Sequence, residues 1–231
     1  MIRQIFIGLV AEGTTDVRFL KNVIFKSVQE LSWQCETEVD IFDIREIYPN
    51  GDSFVEKMLY ATRIAQKDYS ISMLCIHADS DSRTVAEVMQ NKFEPFFEAL
   101  KSLPSEDYCK CIVPTIPIQM IESWMLADKT LLKSLINAEA MTDVELGLDR
   151  APEAYADPKK AINEAIRIAM EGKPKKRRDE IRISDLYELI GNEVALESLR
   201  SIPSFCDFEK RVTDAFRQMN LLHYSGKEND Y

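Results

Sequence analysis

Apolar positions along the chain fall into short runs of strand length separated by stretches of helical periodicity. Residues 3–10, Arg-Gln-Ile-Phe-Ile-Gly-Leu-Val, form the first run, which stops at Ala11-Glu12-Gly13-Thr14. Beyond it Val17, Leu20, Val23, Ile24, Val28 and Leu31 recur every three or four residues, as on one face of an amphipathic helix. The opening unit therefore reads as strand, Glu-Gly turn, helix. A second, less regular strand spans Val39 to Tyr48. Ser53 and Glu56 then have the spacing of a capping box, whose hydroxyl and carboxylate accept each other's backbone N–H, and they start a helix to about Lys67. Ile71 to His77 is the most strand-like stretch of the chain. It runs into Ala78-Asp79-Ser80-Asp81-Ser82-Arg83, and Thr84 with Glu87 opens another capped helix. Cys111 to Ile118 gives a fourth strand, followed by a helix with Ile121, Trp124, Met125, Leu132 and Leu135 on its buried stripe.

Four strands alternating with helices predict an α/β fold. Right-handed crossovers would build a mostly parallel four-stranded sheet covered by helices on both faces, with functional residues at the carboxyl ends of the strands. From about Asp157 the chain has no convincing strand. Pro158 suits the first turn of a helix to about Met170, and further helices are expected at 184–190, 192–200 and 204–221. The predicted division is an α/β unit over 1–150 and a helical extension packed on it over 151–231, with a basic loop at 173–178.

Composition narrows the picture. The chain has 231 residues, with 29 Lys plus Arg against 39 Asp plus Glu and a net charge of −10, enough for one large core with an appended lobe. Only 7 Gly and 9 Pro leave long uninterrupted segments and favour helices over hairpins. No apolar run approaches the roughly 18–20 residues that span a bilayer, and the first residues lack the plan of a signal peptide, so a cytoplasmic location away from the membrane is expected. The five cysteines are scattered and read as reduced core thiols. Cys109 and Cys111 would share one face of a strand, and with only two histidines in the chain zinc is the weaker reading. Residues 158–182 carry a local charge of +5, concentrated in Lys173-Pro-Lys-Lys-Arg-Arg178, so the rest of the chain is more acidic than the total suggests.

Three acids sit where a parallel sheet would place a site: Glu12 after the first strand, and Asp79 and Asp81 after the third. Neighbouring carboxylates repel one another, and a divalent cation relieves that repulsion. Mg²⁺ prefers oxygen, takes one or two carboxylates directly and keeps waters and phosphates in its other positions, which suits phosphate chemistry. The plainer reading is that Glu12 favours a helix dipole and that Asp79 and Asp81 lie in a solvated turn. His77, alternating with Cys75 and Met73, reads as a hydrogen-bonded structural histidine. The basic run Lys173, Lys175, Lys176, Arg177 and Arg178, with Arg83, would contact a phosphate backbone. One of Lys159, Lys160, Lys173 or Lys175 would stabilise developing phosphorane charge. A haloacid-dehalogenase-type phosphatase is disfavoured, because Arg83 stands at the fifth position of its Asp-x-Asp motif and the motif follows the third strand. No Gly-rich phosphate loop is present.

Glu12-Gly13 after one strand with Asp79-Ser80-Asp81 after another resembles the TOPRIM domain, the metal-binding module of topoisomerases, primases and OLD-family nucleases. The wider set is Val10-Ala-Glu-Gly-Thr-Thr-Asp-Val-Arg-Phe-Leu20, His77-Ala-Asp-Ser-Asp81, Ile116 to Asp128, Asp157-Pro-Lys-Lys160 and Leu196 to Phe205. Together these segments resemble an uncharacterised TOPRIM-like family often encoded beside ATPases in bacterial defence loci. The resemblance implies that Glu12 is a ligand or general base, that Asp79 and Asp81 hold Mg²⁺ or Mn²⁺, and that Glu122 completes the acidic site. The plainer reading of Glu122 is a partly buried acid paired locally, and Gln119, three positions before it, would share its helix side and orient it. The resemblance also implies a nuclease acting on DNA or RNA, with an AAA- or ABC-type ATPase as partner. The alternative is a TOPRIM-derived module that binds metal, nucleic acid or a partner and cleaves nothing.

Overall fold

The computed structural model of the protein describes residues 2–81, 84–171 and 181–222. Its centre is a four-stranded parallel sheet. The strands are β2 (Ile7–Val10), β4 (Arg45–Glu46), β5 (Met73–His77) and β6 (Ile112–Thr115), in the order β4-β2-β5-β6. A separate parallel pair joins β1 (Arg3–Ile5) to β3 (Val39–Ile41). The first expected strand is therefore interrupted at Phe6, which leaves the ladder to bond Ser72 through both its N–H and its C=O and to stack on Phe42 at 4.6 Å. The second expected strand divides for the same reason, its halves following β1 and β2 into different sheets.

Residues of β2 and β5 are buried throughout, as expected of strands covered on both sides. One face meets α2 (Phe54–Lys67) and a continuous helical stretch made of α3 (Val85–Val88), a π turn (Met89–Phe93) and α4 (Glu94–Lys101). Both predicted capping boxes form: Ser53 with Glu56, and Thr84 with Glu87. The other face meets α1 (Thr14–Ser32), and its hydrophobic cluster runs on without a break into the C-terminal helices. These are α7 (Pro158–Ala169), α8 (Ile183–Glu193), α9 (Leu196–Leu199) and α10 (Pro203–Gln218).

The expected apolar stripe of α1 is buried at Val17, Leu20, Val23, Ile24 and Val28, but Phe19 is buried too. It lies against α8, so α1 is covered on a second side. Gly191 permits that approach, since a Cβ there would lie 2.8 Å from the Phe19 carbonyl oxygen.

The single helix expected after the fourth strand is two, α5 (Glu122–Met125) and α6 (Lys129–Leu135). Asp128 breaks the run by capping the Leu131 N–H at 2.9 Å. The five cysteines are free, and Cys75, Cys109 and Cys111 are buried. Cys109 and Cys111 do not share a face: they belong to the clusters on opposite sides of the sheet, because both precede β6 and strand alternation does not hold between them. Burial pushes their thiols up to about 11 and about 12, which keeps them protonated and inert. Among the described residues no helix is long and apolar enough to cross a membrane.

Candidate functional site

The pairing of Val10 with Ile76 brings the carboxyl ends of β2 and β5 side by side. From β2 the chain turns through Glu12 and Gly13 into α1, and Asp16 in its first turn accepts the Gly13 N–H at 2.9 Å. From β5 the chain ends on His77, which is only 2% exposed. Its Nε2 lies 3.1 Å from Asp79 Oδ1, and its Nδ1 lies 3.9 Å from Asp16 Oδ2. The imidazole is thus held between two carboxylates, with Nδ1 buried and lacking a hydrogen-bond partner among the described residues.

Electrostatics tie the same groups together. Burial alone would push the His77 pKa down. The charges of Asp79, Asp16 and Glu12 outweigh it, and the net direction is up. Asp16 is raised by burial first and by the Asp79 charge as well, while His77 opposes both. Glu12 and Asp79 thus follow the ends of two paired strands, β2 and β5. Asp16, which the sequence reasoning passed over, belongs with them. His77 is hydrogen-bonded and buried, as its strand alternation predicted.

Asp81 lies further out and is exposed. Its backbone is left-handed, with φ 49°, and its N–H donates to the carbonyl of Gln119, itself left-handed with φ 64°. The Gln119 N–H in turn donates to the buried Ser80 hydroxyl at 2.6 Å. The loops after β5 and β6 are thereby stitched together. Gln119 was expected to share a helix side with Glu122. Its backbone instead lies in the loop ahead of α5, where it anchors the Asp79-Ser80-Asp81 turn.

Glu122 is buried at 3% exposure. Its carboxyl accepts a short hydrogen bond from the Tyr187 hydroxyl of α8, and Lys159 Nζ of α7 stands 3.6 Å away. Lys159 is one of the four lysines the sequence nominated. Burial, then Glu122 and Asp16, hold the Tyr187 hydroxyl well above its usual range, so it remains a donor. Tyr187 thus ties α8 to Glu122 at the start of α5. Tyr187→Phe should cost about 1.5–3 kcal/mol, the worth of a hydrogen bond to a charged group. Urea unfolding checks this, and a loss below about 0.5 kcal/mol, the size of a neutral surface change, would show that Glu122 does not depend on Tyr187.

Lys92 Nζ lies 3.8 Å from Glu12 Oε1. Of the other nominated cations, Lys160 is exposed in the first turn of α7, and Arg83, Lys173, Lys175, Lys176, Arg177 and Arg178 lie outside the described residues. Among the described residues no three His, Cys, Asp or Glu side chains converge closely enough to enclose an ion. Carboxylate oxygens of Glu12, Asp16 and Asp79 are nonetheless hard donors, and Mg²⁺ needs only one or two of them beside its waters. The donor set fits that ion better than a softer metal, since Cys75, Cys109 and Cys111 are buried in the hydrophobic clusters.

Sequence reasoning missed Tyr187, Asp16 and Lys92. Asp16 had a signal in its place four residues after Glu12, within one helical turn of the strand end. Tyr187 had none, being 65 residues from its partner. Comparisons with known proteins return no matching family model, no similar curated protein and no similar solved structure.

Proposed function

We propose that the chain is a divalent-metal-dependent nuclease of TOPRIM type that hydrolyses phosphodiesters of DNA or RNA as the effector of an ATPase-linked bacterial defence system. One observation carries the reading: Asp79 and Asp16 lie 3.1 and 3.9 Å from buried His77 at the carboxyl ends of adjacent parallel strands, and Glu12 follows the first of those strands. Such mutual repulsion is what a dication relieves. Glu12 and Asp79, with Asp81 at the rim, would hold Mg²⁺ or Mn²⁺, which when bound screens phosphoryl oxygens and orients a water. His77 fixes the Asp79 carboxylate through Nε2. Lys159 offers a cation to an incoming phosphate, and Tyr187 keeps Glu122 oriented beside it. The Lys173 to Arg178 run would track the nucleic-acid backbone.

A second reading, a metal-binding module without turnover, is favoured by one fact. Glu122 is buried and already engaged by Tyr187 and Lys159, as a structural acid would be. Incubation of the chain, alone and with any ATPase encoded next to it, with DNA and RNA in Mg²⁺ or Mn²⁺ separates the two. The nuclease cuts, and Asp79→Ala does not. Equal cutting by both proteins, or none by either, overturns the assignment.

A further inference from the structure

A cavity of about 490 Å³ is lined by Glu12 and His77 together with Phe54, Lys57 and Lys92. Its volume lies in the range of about 300–1,000 Å³ that small-molecule sites occupy. Phe54, the first residue of α2, is half-buried and held edge-on against Phe93 at 5.3 Å. Lys57 follows it by three residues and is exposed. Lys92 comes from the π turn, a rare backbone form concentrated at functional sites, and its ammonium lies 6.0 Å from the centre of the Phe54 ring.

An aromatic ring with one ammonium group over it and a second lysine lining the same cavity is a pattern that binds a base and its neighbouring phosphates. The carboxylates next to it repel any polyanion, so a strand is drawn in where Lys57 and Lys92 meet its phosphates, and the aromatic ring is what favours a nucleic-acid base over an acidic side chain. Resting on the nuclease reading of the acids, we propose that this cavity is a nucleotide subsite for single-stranded nucleic acid. Phe54 stacks one unpaired base, Lys57 and Lys92 hold its flanking phosphates, and the next phosphodiester is delivered to Glu12 and Asp79.

The test is fluorescence anisotropy of the full chain with a fluorescein-labelled oligothymidylate in Ca²⁺, which takes the same oxygen donors, with Mg²⁺ and Mn²⁺ left out. Phe54→Ala is expected to weaken binding about 5- to 100-fold, the effect of losing one stacking platform, and Phe54→Trp to restore it. Lys57→Glu, at an exposed position, should weaken binding and flatten its salt dependence, and it reads the same cavity if loss of the Phe54 ring unfolds the chain. An abasic strand of equal length should bind the wild type as poorly as the intact strand binds Phe54→Ala. Absence of saturable binding, an abasic strand bound as tightly as the intact one, or Phe54→Ala and Lys57→Glu both matching wild type would overturn the subsite. A wild type that binds in the expected pattern yet cuts nothing in Mg²⁺ supports the subsite and discards the hydrolytic reading alone.

Discussion

Asp79→Ala is expected to lower metal-dependent cleavage of nucleic acid by about 100-fold or more, the scale on which removal of a metal-site or charge-stabilising group is felt. The substitution removes a carboxylate from the strand-end cluster and also deprives His77 Nε2 of its partner at 3.1 Å. Asp79→Asn separates these effects. The amide can still bond the imidazole, so the fold around His77 is kept while the negative charge is lost. Both variants should therefore be inactive, and Asp79→Asn should unfold at nearly the wild-type urea concentration. Gel assays over a range of Mg²⁺ and Mn²⁺ read the first outcome. Cleavage by Asp79→Asn at the wild-type rate would remove the charge of Asp79 from the chemistry.

Trp124→Ala should cost about 3–5 kcal/mol, a large share of the roughly 5–15 kcal/mol that stabilises an ordinary domain. Trp124 is fully buried, its ring packs edge-on against Phe205 at 5.1 Å and near Phe208 at 5.7 Å, and its Nε1–H donates to Ser204 at 2.8 Å. It therefore pins α5 to α10. Because α5 begins with Glu122, loss of the indole leaves a cavity behind the residue that Tyr187 and Lys159 address. Chemical unfolding followed by circular dichroism measures the loss. A change below about 1 kcal/mol would show that the cavity collapses without strain or that the clamp lies elsewhere.

Much of the scaffold was legible because its signals are local. The capping boxes at Ser53 and Thr84 start helices where the hydroxyl and the acid three residues later predict. The parallel alternation of elements also implied a parallel sheet, in which the ends of β2 and β5, followed by Glu12 and Asp79, are neighbours. Interruptions were not legible, since they depend on distant partners. Phe6 leaves its ladder for Ser72, Asp128 divides a helix by capping it, and Gln119 turns left-handed to hold the Asp81 N–H. The site divides in the same way. Its acids stand in motifs, but Tyr187 and Lys159 reach Glu122 only because α7 and α8 fold back, and Lys92 reaches Glu12 only because a π turn carries it there. Even the second buried face of α1 depends on Gly191, 172 residues beyond Phe19, letting two backbones touch.

The most direct measurement is a calorimetric titration of Mn²⁺, repeated with Mg²⁺, into wild type, Glu12→Gln and Asp79→Asn. One saturable site in the wild type, weakened about 10- to 100-fold or lost in each variant, is the predicted result. Silence towards both ions, or wild-type affinity in both variants, would contradict the claim that these carboxylates are gathered to hold a dication.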